Sequence, residues 1–213
     1  AGYIIVLETY LKQLGYIPLY MQRTILWELL RLVKHLVDQE DNVSFLSFEE
    51  KENFLSLMDK TFTYIDVDTI LSFEVGSCGF SRQVGMLGCF KKVEPVKQVV
   101  YVDKYDANSN SLLLRYFDCN DSHDEFYIDG KEVYPSHVKY VDRKFLSRTF
   151  VTEKRIWLPI TNGELVIKIN GALVNINYFG KRKTNKVNLN FKKQSIKPTW
   201  LFMDRDDCAG DNA

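Results

Sequence analysis

Between positions 181 and 197 the chain carries Lys181, Arg182, Lys183, Lys186, Lys192, Lys193 and Lys197 with no acidic residue among them. Tyr178, Phe179 and Phe191 lie within or beside this run. Cations interleaved with aromatics suit an anionic polymer, because phosphates meet the charged tips while rings pack against the chain. Single-stranded nucleic acid, a polyphosphate polymer and an anionic membrane surface all fit that chemistry. A solvated basic loop without a ligand is the simplest reading. Lys181, Arg182, Lys183, Lys186, Lys192 and Lys193 are the candidate polyanion-binding residues.

Two acidic clusters are the other chemical candidates. Asp121, Asp124 and Glu125 surround His123, and oxygen-rich loops can hold calcium, but the ligand order of a known calcium loop is missing. A solvated turn is expected there. Asp204, Asp206, Asp207 and Asp211 follow the apolar run Trp200-Leu201-Phe202-Met203. At a strand end such groups could face a nucleotide or metal in a longer protein; an exposed loop is the simpler reading. His35, His123 and His137 are far apart in sequence, and Cys78, Cys89, Cys119 and Cys208 include no CxxC pair. Reduced, mostly buried thiols are expected. Neither a glycine-rich phosphate loop nor an HExxH or GxSxG motif occurs, so no catalytic residue, metal or cofactor is assigned.

Two textures of sequence must position these groups. The first is helical. Ile4, Leu7, Leu11 and Leu14 recur at helical spacing before Gly15, and Pro18 opens a second helix running to about Gln39. Its apolar stripe is Leu19, Ile25, Leu26, Leu29, Leu30, Val33 and Val37. Ser47 and Glu50 form a capping box, with Phe45 as the expected staple. The helix they start, about 48–64, should bury Phe54, Leu57, Met58, Phe62 and Ile65. A weaker helix, about 80–90, is interrupted by Gly85 and Gly88.

Near residue 93 the period changes to two. Strands are expected at 99–103, 111–117, 125–128, 131–134, 137–141, 148–152, 154–160, 164–169, 172–177 and 187–191, with Asp129-Gly130, Asn162-Gly163 and Asn170-Gly171 as turns. Short strands at this spacing predict an antiparallel sandwich. The fold class is therefore α+β: an N-terminal helical subdomain at 1–92 followed by an antiparallel β-sandwich at 93–197, with 198–213 as the first strand and loop of a further domain.

The chain has 213 residues, 46% hydrophobic and 26% charged, which argues against disorder. No apolar run approaches the ~20 residues of a membrane-spanning helix. Basic and acidic residues balance at 28 each, so no global pull toward nucleic acid exists and no nucleic-acid partner is expected. The balance is partitioned: residues 1–92 carry 9 basic and 12 acidic side chains, whereas residues 93–198 carry 18 and 12. The chain starts at Ala1-Gly2-Tyr3 without a Met or a basic leader and ends soon after an apolar run; the expectation is a piece of a longer protein.

Three stretches carry a resemblance. Tyr16-Ile17-Pro18-Leu19-Tyr20-Met21-Gln22 with Trp27-Glu28-Leu29, and then Ser47-Phe48-Glu49-Glu50-Lys51-Glu52 with Tyr64-Ile65-Asp66, resemble the helical tail that follows the family 2 glycosyltransferase domain in bacterial cell-envelope polymerases. Trp200-Leu201-Phe202-Met203-Asp204-Arg205 with Asp211-Asn212-Ala213 resembles the opening strand and loop of the CDP-glycerol glycerophosphotransferase domain of teichoic-acid polymerases. The resemblance implies a non-catalytic connector between those two domains. The parent would polymerise a teichoic-acid-like or capsular polymer in the cytoplasm, peripheral to the inner face of the plasma membrane. The implied partners are the flanking transferase domains and an anionic polymer or membrane surface. The alternative is a carbohydrate-binding sandwich module, which calls for a flat row of exposed aromatics; Tyr101, Tyr116, Tyr127, Tyr140, Trp157 and Tyr178 are the candidates.

Overall fold

A computed structural model describes residues 2–75, 78–94, 98–118, 122–178 and 184–189. The protein is α+β; among the described residues five α-helices precede ten strands. The helices are α1 (Gly2–Leu14), α2 (Leu19–Leu36), α3 (Phe48–Thr63), α4 (Val67–Leu71) and α5 (Phe80–Met86), with a 3-10 turn at Glu40–Val43 and a π-turn at Leu87–Lys91. The strands are β1 (Val99–Asp106), β2 (Ser111–Asp118), β3 (Asp124–Ile128), β4 (Lys131–Glu132), β5 (His137–Phe145), β6 (Arg148–Pro159), β7 (Gly163–Ile169), β8 (Ala172–Leu173), β9 (Asn175–Tyr178) and β10 (Val187–Leu189). The chain forms two units, each assembled from separate segments. One holds Ala1–Pro95, Asp118–Asn120 and Asp142–Thr152, and the other holds the remainder.

In the helical unit, α2 buries Ile25, Leu26, Leu29, Leu30 and Val33 as its spacing predicts, and Leu36 besides; Leu19 at the start of the expected stripe is exposed and Val37 at its end is half-buried beyond the helix. Both halves of the Ser47–Glu50 capping box form, the Ser47 N–H donating to Glu50 Oε2 at 2.8 Å and the Glu50 N–H to Ser47 Oγ at 3.2 Å. The expected staple does not form, since Phe45 is 80% exposed. In α3, Leu55 takes the buried position expected of Leu57, which is exposed, beside Met58 and Phe62. One face of α1 buries Ile4 and Leu7, but Leu11 and Leu14, next along the same stripe, are exposed.

The unit's core is completed by residues from far along the chain. The tip of the β5–β6 hairpin contributes Phe145, Leu146 and Phe150, all buried. Phe145 stacks on Phe54 and meets Phe90 edge-on at 5.1 Å, and Phe90 lies over Phe62 at 4.7 Å. A Cβ built on Gly85 would collide with the edge of the Phe150 ring, so the glycine that weakens the helix in sequence makes room for this aromatic. Polar groups fix the tip in place. The Asp38 N–H donates to the Lys144 carbonyl at 2.8 Å and its carboxylate accepts from the Lys144 N–H at 2.8 Å. Arg148 Nη1 donates to both oxygens of Asp59, at 2.6 and 2.8 Å.

In the other unit, one sheet has the order β5-β6-β2-β1-β9 and the second β10-β7-β3-β4, with β8 paired to β7. Their inner faces share one apolar core, including Val100, Leu114, Tyr116, Phe126, Ile156, Leu165, Ile167 and Ile176, which makes the arrangement sandwich-like. The pairing is not wholly antiparallel. After the β7–β8 hairpin the chain crosses between sheets, and β9 lies parallel to β1, with Val100 opposite Ile176. The segments 148–152 and 154–160, expected as two strands, form one twelve-residue strand, in which the buried positions pass from Val151 and Glu153 to Lys154, Ile156 and Leu158. Asp129-Gly130 and Asn170-Gly171 turn as expected, with positive φ at all four residues.

Candidate functional site

Of the six candidate polyanion-binding residues, Lys186 belongs to the described part of the chain; Lys181, Arg182, Lys183, Lys192 and Lys193 lie outside the described residues. Asp121, Cys119, Cys208, the side chain of Tyr178 and the whole of 198–213 lie outside them too. Lys186 precedes β10, and its ammonium donates to Glu164 Oε1 at 2.8 Å. Glu164 stands opposite Asn188 in the register of β7 and β10.

Strand alternation places Glu125, Tyr127, Glu132, Glu164 and Lys168 on the outer face of the second sheet, opposite the inward residues Phe126, Ile128, Leu165 and Ile167. Glu125 is the hub. The Tyr127 hydroxyl donates to it at 2.7 Å, Lys168 Nζ lies 3.9 Å away and His123 Nε2 3.7 Å away. The Tyr127 hydrogen bond to Glu125 pushes the phenol up to about 12. The Lys168 ammonium sits 5.0 Å above the Tyr127 ring. This face is a lattice of matched charges. An anionic ligand would have to win Lys186 from Glu164 and Lys168 from Glu125. An exposed pair of this type is worth less than ~1 kcal/mol, so it can be exchanged. If the basic run holds an anionic polymer such as a poly(alditol phosphate), Glu164→Gln should tighten that binding two- to threefold and Lys186→Ser should weaken it similarly, both at low salt and both fading at physiological salt. Titration calorimetry of the chain with the polymer checks this; identical affinities for the two variants would remove Lys186 from the binding face.

The acidic group around His123 is not a uniform solvated turn. Asp124 points inward and is buried, paired with Lys154, which is buried as well. Ser122 Oγ donates to Asp124 Oδ1 at 3.0 Å. The Lys154 ammonium lies over the rings of Tyr116 and Tyr140, at 5.5 and 5.4 Å. The sequence held a signal for this pair. Asp124, Phe126 and Ile128 form one inward stripe, and Lys154, Ile156 and Leu158 another, each headed by a charge of opposite sign. On the first sheet, Arg115 forms a two-point pair with Asp103, at 2.8 and 3.3 Å, and lies 5.4 Å from the ring centres of both Tyr101 and Phe117.

The candidate glycan-facing aromatics are not assembled in one row. Tyr116 is in the core, Tyr127 lies on the second sheet under Lys168, and Tyr101 lies on the first sheet under Arg115. Tyr140 is exposed and Trp157 half-buried. Tyr134, overlooked in sequence, is the more exposed tyrosine, its hydroxyl donating to Glu132 at 2.9 Å.

Two open hollows occur in the helical unit. One, of about 500 Å³, is lined by Tyr3, Glu28, Arg31, Leu32 and His35. The other, of about 360 Å³, is lined by Asp38, Glu40, Asp41, Asp142, Lys144 and Leu146. Several of its acids have structural partners: Glu40 holds Lys51, and Asp142 accepts from the Thr152 hydroxyl. Among the described residues no three His, Cys, Asp or Glu side chains group as metal ligands, and no helix is long and apolar enough to cross a membrane.

Cys78 and Cys89 are buried free thiols, and burial pushes each up to about 11. At pH 8 only about one in a thousand of each would be the reactive thiolate. Iodoacetamide should therefore label both at least a hundredfold more slowly in the folded chain than in denaturant, read by peptide mass mapping. Equal rates would contradict their burial. A raised thiol pKa adds stability that is present below the ordinary thiol value and is lost as pH rises toward 11.

No protein-family model, curated protein or solved structure matches the chain significantly.

Proposed function

We propose that this chain is a non-catalytic connector within a bifunctional cell-envelope polymerase, joining a glycosyltransferase domain to a CDP-glycerol glycerophosphotransferase domain. The observation that carries the reading is what the family-like stretches do. Gln22, from the first, is buried and donates to the Ile17 carbonyl at 3.0 Å and to Asp66 Oδ2 at 2.8 Å. Its carbonyl oxygen accepts from the Asp66 N–H at 2.7 Å and from the Thr69 hydroxyl at 3.1 Å. Asp66 belongs to the second stretch. One amide thus ties together the connection before α2 and the start of α4, and every hydrogen bond it makes is structural. The Ser47–Glu50 box in the same stretch caps a helix. The resembling residues support a scaffold rather than present groups to a substrate.

In this reading the polymer grows in the cytoplasm at the inner face of the membrane, and the connector sets the spacing of the two active sites. Retaining the growing chain near the second site raises its effective concentration there. The coding sequence on either side provides the test. A glycosyltransferase domain upstream and a glycerophosphotransferase domain downstream are expected; any other pair of neighbours overturns the reading. Release of CMP from CDP-glycerol, or of UDP from a UDP-sugar, by the pure chain would also overturn its non-catalytic part.

A further inference from the structure

An exposed apolar surface of the helical unit lies where α1 turns into α2. Leu11, Leu14, Tyr16, Leu19 and Tyr20 are all exposed there, Tyr16 and Tyr20 at 61% and 60%. The Tyr10 and Tyr20 hydroxyls lie 3.0 Å apart, which ties the two helices at this end. The composition of the patch is informative. Aliphatic side chains mixed with tyrosines, each with an apolar ring and a polar tip, match the boundary between hydrocarbon and headgroups, where one side of a side chain is dry and the other wet. Two turns on from Tyr20, on the same side of α2, Trp27 is also exposed, with Arg23 between them.

Charge selects the occupant. The acids of α1 and α2 are engaged within the unit. Glu8 accepts from Tyr64 at 3.1 Å and pairs with Lys60 at 2.9 Å, a hydrogen bond that holds its carboxyl below the ordinary value, and Glu28 pairs with Arg31 at 3.2 Å. Lys12 in the last turn of α1 and Arg23 near the start of α2 pair with no carboxylate among the described residues. An apolar, tyrosine-rich edge whose uncommitted charges are positive complements an anionic lipid surface.

We propose that the α1–α2 corner, with Tyr16, Leu19 and Tyr20 as its apolar wedge and Lys12 and Arg23 as its charged flanks, docks this chain on anionic membranes. This extends the peripheral placement in the function proposed above and rests on it for the identity of the membrane, whereas the docking itself is tested without reference to any enzyme. The coding-sequence test and the lipid test fail independently.

The test is co-sedimentation of the chain with vesicles of phosphatidylcholine alone and with vesicles containing phosphatidylglycerol, each at low and physiological salt. The chain should bind the anionic vesicles, more strongly at low salt. Tyr16→Ser/Leu19→Ser/Tyr20→Ser should lower the partition coefficient at least tenfold. Lys12→Glu/Arg23→Glu should lower it several-fold on anionic vesicles alone, which keeps the proposal testable should the triple variant fold poorly. Circular dichroism checks both folds. No binding by the parent chain overturns the proposal. So does binding that both variants retain, which would transfer the role to the basic run at 181–197. A dimer dissolved by the triple variant, with no vesicle binding, would assign the corner to a second copy of the chain and overturn the proposal too.

Discussion

Phe145→Ala is expected to cost the helical unit about 3–5 kcal/mol, the range for deleting a buried ring from a packed core. The side chain is 0% exposed and touches the rings of Phe54, Phe90 and Phe150, which leaves no path for solvent to relax the cavity. Lys139→Ala, an exposed change on the same strand, should stay within about 0.5 kcal/mol. Urea unfolding followed at 222 nm, where helices dominate, measures both. A loss under 1 kcal/mol for Phe145→Ala would mean that residues 142–152 are not part of the helical core. The same packing predicts that residues 2–94 expressed alone bind ANS and lack fixed side-chain packing, since Phe145, Leu146 and Phe150 would be missing. Both halves of this prediction turn on a segment some fifty residues downstream of the helices it completes.

That long reach explains what the sequence hides and what it shows. Local devices are legible because their physics is local. Ser47 and Glu50 satisfy each other's backbone within one turn, and Asp129-Gly130 and Asn170-Gly171 adopt left-handed φ values that few other pairs tolerate. The stripe of α2 is legible because one face meets one core. Nothing local says that Phe145 leaves the sandwich for the helices, or that Gly85 exists to seat Phe150. Leu146 illustrates the same point. A leucine at φ 52° pays a backbone penalty, and its 2% exposure shows the tertiary burial that offsets it. The stripe of α1 is correct in period, yet Leu11 and Leu14 extend beyond the surface that covers Ile4 and Leu7. Periodicity reports a face, not the length of its partner.

The chemical candidates divide along the same line. The basic run is visible as composition, but whether a lysine is available depends on cross-strand neighbours. Lys186 has Glu164 beside it, twenty-two residues away in sequence and adjacent through the pairing of β7 with β10. In the sequence Glu125 is one acid of the group around His123, at the start of an expected strand. In the sheet it accepts from Tyr127 and faces Lys168 directly opposite on β7.

The Lys154–Asp124 pair gives the second large effect expected. Lys154→Met should destabilise the sandwich by about 3–5 kcal/mol, because it leaves a buried carboxylate whose remaining partner among the described residues is the Ser122 hydroxyl. Asp124→Leu should be comparably damaging, since it leaves the ammonium against the Tyr116 and Tyr140 rings with no counter-charge among the described residues. The double variant Lys154→Met/Asp124→Leu should recover most of the loss and fall within about 1 kcal/mol of the parent, because two apolar side chains in this layer beside Phe126 and Ile156 require no desolvation of charge. The coupling energy from this double-mutant cycle is the decisive quantity, and it is read from urea midpoints followed by near-ultraviolet circular dichroism of the buried tyrosine. Single variants that each lose several kcal/mol with a double variant that loses their sum would show two independent packing sites. Recovery in the double variant would show one buried ion pair, retained where two opposing inward stripes each begin with a charge.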